Sequence, residues 1–310
     1  MSVSHEPGRS GVPPSGMFTF SELAALTGDR LGQFDVPCPL CGPGRRRPHN
    51  RRRKVLRIWC DEPSFIRFHC MRCGTSGWAR ETGSRAIDPA RLRHLKTEAA
   101  ARDAHHAKRR RQIAQALWRA SRPAPGTIVE AYLASRGIRL RPPATIRFLP
   151  PRKPEYHPAM VAAFGLADEP EPGVLAIRDE AVQAVHLTLL RPDGRGKAGT
   201  DRDKFAVGPV HGWPVMLAPP NDLLALAICE GIEDGLSLHE AAGYGVWAAG
   251  GASHLPALAG RIPAYLDCLT VVADADPDGR RHAWQLVKAL RSRGFHTEAF
   301  TLAEHGRAAA

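Results

Sequence analysis

The sequence has no apolar run long enough to cross a bilayer, so no membrane-spanning helix and no membrane partner are expected. Residues 1–16 are rich in Ser, Pro and Gly and lack the apolar centre of a secretory signal. A cytoplasmic location is the expectation. The seven cysteines are an odd number, and four of them form two CxxC pairs, a pattern that argues against a disulfide framework. A P-loop is missing as well. Gly196-Lys197 has neither the earlier Gly nor the following Ser or Thr, so nothing supports an ATP-driven motor.

What is present begins with charge. Of the 310 residues, 43% are apolar and 24% charged, enough for two or three folded units. The net charge of +12 is uneven: residues 1–122 hold 24 Lys/Arg against 10 Asp/Glu (+14), and residues 123–310 hold 19 against 21 (−2). A polyanion is the simplest partner for such asymmetry.

Composition divides the chain into six stretches. Residues 1–33 read as a disordered tail and a short helix, with Ser21 as its N-cap. Residues 34–80 form a cysteine unit with strands predicted at Val55–Cys60 and Phe65–His69. Residues 81–122 read as a basic helical linker, with one long helix over 88–121. Residues 123–220 read as a mixed α+β region: a helix at Thr127–Arg136, then short strands at Thr145–Leu149, Val174–Arg178, Ala184–Arg191 and Pro214–Ala218. Residues 221–303 alternate apolar strands (Leu223–Cys229, Gly245–Ala249, Leu269–Ala273, Thr297–Thr301) with helices (Ile232–Ala242, Leu255–Leu266, Gly279–Arg293), which implies a parallel α/β sheet. Residues 304–310 are a tail.

Cys38, Cys41, Cys70 and Cys73 fit a structural zinc site. Each CxxC pair offers two thiolates at one knuckle, Gly follows each pair, and a 28-residue insert leaves room for strands. Cys60 and His69 are rival ligands, with Cys60 better suited to a strand. Basic residues crowd the unit: Arg45, Arg46, Arg47, Arg51, Arg52, Arg53 and Lys54, with Trp59, Phe65, Phe68 and Trp78 nearby. Cations interleaved with aromatics suit single-stranded DNA, although part of the aromatic set must form the small core.

Glu230 ends one predicted parallel strand, and Asp274 and Asp276 end another. Carboxyl ends of parallel strands are where such sheets place ligands. Residues i and i+2 of an extended chain project the same way, so Asp274 and Asp276 could share a metal that Glu230 completes. Oxygen ligands without Cys or His point to Mg²⁺ or Mn²⁺.

Three spaced motifs then resemble the Toprim domains of bacterial and phage primases: Glu230-Gly231-Ile232-Glu233-Asp234, Gly245 to Ala252, and Asp274-Ala275-Asp276-Pro277-Asp278-Gly279. The stretch from His186 to Pro209 resembles Toprim-containing, primase-like proteins of proteobacterial mobile elements and phages. The resemblance implies a C-terminal Toprim domain behind a mixed α+β region and an N-terminal zinc ribbon. It implies that Glu230 is a general base or metal ligand, that Asp274 and Asp276 hold metal, and that Asp234 supports them. Asp278 sits in the same turn as a possible further ligand. The implied activity is synthesis of RNA primers on single-stranded DNA from NTPs, with a separate replicative helicase as partner, since no helicase module follows. Arg191, Lys197, Arg202 and Lys204 would guide NTP or template.

Two other readings use the same residues. A Toprim nuclease would direct the same acids at water. A recombination-mediator-like DNA-binding protein would pair zinc with Toprim without catalysis, but about 150 residues separate Cys73 from Glu230 here. A topoisomerase is disfavoured, because only Tyr132, Tyr156, Tyr244 and Tyr265 are available and none lies in an evident strand-passage domain.

Overall fold

The computed structural model describes residues 18–44, 51–81, 83 and 89–301. The terminal tails and Arg45–Arg47 of the sequence reading lie outside the described residues. The chain forms two compact units, Met1–His106 and Ala107–Ala310.

In the first unit, α1 (Phe20–Thr27) opens on a capping box. The Thr19 hydroxyl accepts the Glu22 N–H, and the Glu22 carboxylate accepts the Thr19 N–H. The cap is therefore Thr19, two residues before the Ser21 expected from sequence. Four strands follow in a single antiparallel meander: β1 (Gly32–Pro37), β2 (Lys54–Glu62), β3 (Phe65–Cys70) and β4 (Ser76–Arg80). Period-two patterning explains the central pair. Leu56, Ile58 and Cys60 of β2 and Ile66, Phe68 and Cys70 of β3 point into one core with Leu23 of α1. The two outer strands escaped the sequence reading. The long helix α2 (Pro89–Arg119) occupies the stretch predicted as helix.

The second unit holds two five-stranded sheets. The first comprises β5 (Arg122–Pro123), β6 (Ile146–Leu149), β7 (Ala159–Phe164), β10 (Ala184–Leu189) and β11 (Lys204–Val207), antiparallel in the order β11-β10-β7-β6-β5. The hairpin of β8 (Asp168–Glu171) and β9 (Val174–Ala176) stands apart from it. One face of the sheet packs Val161, Val185 and Leu187 on Ala114 and Trp118 of α2. The opposite face shares a core with α3 (Ile128–Ser135) and with the second sheet.

The second sheet has the order β12-β14-β13-β15-β16, from β12 (Val215–Ala218), β13 (Ala225–Cys229), β14 (Gly245–Ala248), β15 (Cys268–Ala273) and β16 (His296–Thr301). The last four are parallel, and β12 runs antiparallel beside β14. Val215–Ala218, read with the middle region in the sequence, thus hydrogen-bonds into the carboxyl-terminal sheet. Helices α4 (Ile232–Ala242) and α5 (Pro277–Ser292) follow β13 and β15. The helix expected at Leu255–Leu266 is a 3₁₀ segment, Ala252–Arg261. Pro256 inside it lacks the N–H that a regular α-helix needs. Gly235 lets α4 lie close on the sheet, for a Cβ there would stand 2.6 Å from Leu217 Cδ1 and 2.9 Å from Cys229 Sγ.

Candidate metal centres and nucleic-acid interface

The four cysteines converge. Their Sγ atoms all lie within 4.8 Å of one another. Cys41 and Cys70 are 3.8 Å apart, and sulfurs around a tetrahedral zinc at about 2.3 Å stand about 3.8 Å apart. Two turns place them: the Gly42 N–H donates to the Cys38 carbonyl, and the Gly74 N–H to the Cys70 carbonyl. A Cβ at Gly42 would meet the Cys38 carbonyl oxygen at 2.6 Å, and Gly74 adopts φ +72°. Burial pushes the Cys38 thiol up to about 12, while hydrogen bonds from Thr75 bring Cys73 down to about 6. The rivals stay out of the cluster. Cys60 is buried on β2 with its Sγ towards the Thr27 hydroxyl, and His69 stands between Arg57 and Ser76 in the ladder.

The ribbon sheet separates its aromatics by face. Phe68 is core. Trp59, Arg67 and Trp78 are successive cross-strand partners on the opposite face, and Phe65 pairs with Arg80 there. Arg67 lies over the Trp59 ring at 5.8 Å and Arg80 over Phe65 at 5.5 Å. Trp78 is half exposed. Arg51, Arg52, Arg53 and Lys54 are exposed at the start of β2. Sequence reasoning did not single out Arg67 and Arg80; period two from Phe65 would have found the first of them.

At the second site, Glu230 follows β13 and Asp274 follows β15, two strands that neighbour each other in the sheet. The Glu230 backbone is fixed by the Gly250 N–H, which donates to its carbonyl. Its carboxylate accepts the Ala252 N–H. Asp234, on the first turn of α4, folds back over Gly231, where a Cβ would stand 2.2 Å from Asp234 Oδ2. Asp276 is the N-cap of α5, and its Oδ1 accepts the Gly279 N–H at 2.7 Å. Asp278 pairs with Arg281 at 2.9 Å.

These acids repel one another. Burial, then Asp274, Asp276 and Asp234, raise the Glu230 carboxyl above the usual range, with the Ala252 N–H opposing. Burial, then Asp234 and Asp276, raise Asp274. Among the described residues the four cysteines are the one group of three or more ligand side chains close enough to hold a metal ion together, and the carboxylates are not gathered into such a group. Partly buried oxygens raised by like charge are a donor set that a hard divalent cation relieves.

The four basic residues expected to meet NTP or template belong to a single hairpin. Arg191, Lys197 and Arg202 lie on the loop between β10 and β11, and Lys204 opens β11. Lys204 is not solitary: it pairs with Glu233 of α4, and Tyr132 of α3 bonds the same carboxylate. Sequence reasoning assigned no role to Tyr132 or Glu233, and nothing in their spacing marks them.

A mostly parallel sheet with carboxylates at its strand ends defines the class of the carboxyl-terminal segment. Residues 225–307 match the Toprim domain, and residues 108–217 match a domain of unknown function (DUF7146). The segment is a Toprim domain, as the three motifs implied. No curated protein matches the chain. Among solved structures the chain is similar to the primase fragment of the bacteriophage T7 primase-helicase protein, 12% identical, with 86% of this chain and 88% of that one covered at a TM-score of 0.36. It is similar to the Aquifex aeolicus primase (zinc binding and RNA polymerase domains), 14% identical, covering 92% and 77% at 0.42. A DnaG primase catalytic domain bound to ssDNA is 14% identical, covering 65% and 76% at 0.42.

Proposed function

We propose that the protein is a primase-type nucleotidyl transferase that synthesises short RNA on single-stranded DNA. The observation that carries the reading is the like-charge group of Glu230, Asp274 and Asp276 at the strand ends of a Toprim domain that follows a four-cysteine ribbon. Glu230, Asp274 and Asp276 would hold Mg²⁺ or Mn²⁺, with Asp234 supporting them. A cation there supplies charge neutralisation at a phosphate and lowers the pKa of a hydroxyl. The chain's own share is orientation. The Ala252 N–H fixes the Glu230 carboxylate, and capping of α5 leaves Asp276 one free oxygen.

The four cysteines would hold zinc in a structural role, because all four positions are protein. The outer face of the ribbon, with Trp59, Arg67, Phe65, Arg80 and Trp78, would take single-stranded DNA by stacking and phosphate contact, helped by Arg51 to Lys54. Arg191, Lys197, Arg202 and Lys204 would meet the triphosphate of an incoming NTP. A separate helicase would supply unwound template.

The test is template-dependent incorporation of labelled NTPs on single-stranded DNA with Mg²⁺ or Mn²⁺. The wild type should make primers, and the Glu230→Gln/Asp274→Asn/Asp276→Asn variant should lose at least about 10²-fold of that activity. No product from the wild type, or undiminished product from the variant, contradicts the reading. Cleavage of DNA without NTPs would instead indicate a nuclease. DNA binding alone, surviving loss of the acids, would indicate a non-catalytic mediator.

A further inference from the structure

Glu233 sits between Glu230 and Asp234 in the chain, yet its side chain leaves their group. It is only 7% exposed and lies in the seam between α4 and the first sheet of its unit. The Tyr132 hydroxyl donates to Oε1 at 2.7 Å. Lys204 Nζ stands 2.8 Å from Oε1 and 2.9 Å from Oε2. Burial alone would raise this carboxyl, but the Lys204 charge and the hydrogen bonds from Lys204 and Tyr132 bring it down to about 2. The pair is closed at one end only, since the Lys204 side chain remains 38% exposed.

The surroundings are rich in positive charge and in unfilled polar positions. The Lys197 ammonium is held below the usual lysine range, first by desolvation and then by Lys204, while Glu233 opposes the shift and Arg136 adds to it. Lys204 stands opposite Thr188 in the β10–β11 ladder, and His186 lies two residues along on the same face. His186 Nδ1 and Thr188 Oγ1 are buried without a hydrogen-bond partner. Lys197 therefore lies in the field of Lys204, Arg136, Glu233 and Asp203; the two lysines stand on the hairpin that presents Arg191 and Arg202, and Arg136 caps the end of α3.

A buried carboxylate that occupies the ammonium of an otherwise open cationic site acts as an internal anion. Any external anion at Lys204 must share that ammonium with Glu233 or draw it away. We propose that Glu233 is a built-in competitor at Lys204 that weakens the hold of the β10–β11 hairpin on polyphosphate. The inference rests on the reading of this hairpin as a triphosphate site and adds a residue that sets its affinity. It does not depend on catalysis.

The experiment is calorimetric titration of inorganic tripolyphosphate into the zinc-loaded full chain at low ionic strength. Wild type is compared with Glu233→Gln, Glu233→Met, Lys197→Met and the double variant Glu233→Met/Lys204→Met. Removing one negative charge next to a partly exposed ammonium should tighten binding in both Glu233 single variants by about five-fold or more. The double variant should bind no tighter than wild type. Thermal melting reports folding, and Met at 233 fills the volume without needing a polar partner if Gln is not tolerated. Folded Glu233 variants that bind no tighter than wild type, with wild-type binding weakened by Lys197→Met, overturn the proposal while leaving the triphosphate reading standing. Absence of binding in all five proteins overturns both.

Discussion

Glu230 and Glu233 stand three residues apart in one motif and meet opposite environments. Glu230 lies at a strand end among Asp234, Asp274 and Asp276, and burial with like charge raises its carboxyl. Glu233 lies deeper, yet Lys204 and Tyr132 hold its carboxyl down to about 2. Burial acts on both groups in the same direction. The sign of the net shift is decided by what else is there: three carboxylates in one case, an ammonium and a phenol in the other. The first group stores electrostatic cost that a cation would remove. The second is already neutralised and ties α4 to the β11 edge of the neighbouring sheet.

The sharpest way to break this comparison is to remove the neutralising partner. Lys204→Met leaves a buried carboxylate with only the Tyr132 hydroxyl. It should cost about 3 kcal/mol of stability in urea unfolding, towards the low end for a broken buried pair because the lysine is partly exposed. Glu233→Met should cost less, since the freed ammonium can hydrate, and Lys204→Met/Glu233→Met should recover most of the loss. Equal costs for the two single variants would show that the seam carboxylate is not buried in the way described.

The next effect is one of pH. Burial, and then the Lys204 charge, bring His186 down to about 4, below the ordinary value of 6.5. Between these values the unfolded chain binds a proton that the folded chain refuses. His186 therefore costs no stability above pH 6.5, and stability falls as pH drops towards 4 by about 2–3 kcal/mol. His186→Leu should flatten this part of the pH profile relative to wild type. An unchanged profile would mean that the His186 imidazole is not held neutral by burial in the folded chain.

The smallest effect is at the acid site itself. Glu230→Gln removes one repelling charge, so without divalent cations the variant should melt a few degrees above wild type near neutral pH. The direction follows from the raised carboxyl: its repulsion grows as pH rises through the folded value. A lower melting temperature would mean that the Ala252 hydrogen bond outweighs the repulsion.

Much of this was legible in the sequence because it is written locally. The CxxC-Gly pairs announce two knuckles, and alternation in Val55–Cys60 and Phe65–His69 announces β2 and β3. The apolar runs before Glu230 and Asp274 announce strands with acids at their ends. Sequence alone marks Asp276 only as a ligand and the next helix only from Gly279; the hydrogen bond from the Gly279 N–H shows that Asp276 also caps α5, which begins at Pro277. What stayed hidden depends on distant partners. Ala159–Phe164 has no alternation because every residue is buried, so β7 gave no period-two signal. Glu233 looks like any acid on the first turn of a helix, where it would favour the dipole. Its actual partners lie 29 and 101 residues earlier in the chain, and no local pattern names them.

The most direct measurement is the number of Mn²⁺ ions that the zinc-loaded chain binds, read by electron paramagnetic resonance of the free ion. The wild type should bind Mn²⁺, Asp274→Asn should lose at least one site, and Glu233→Gln should retain every site. Mn²⁺ binding that survives Asp274→Asn, or that is lost in Glu233→Gln, would contradict the division between a cation-seeking group at the strand ends and a neutralised carboxylate in the seam.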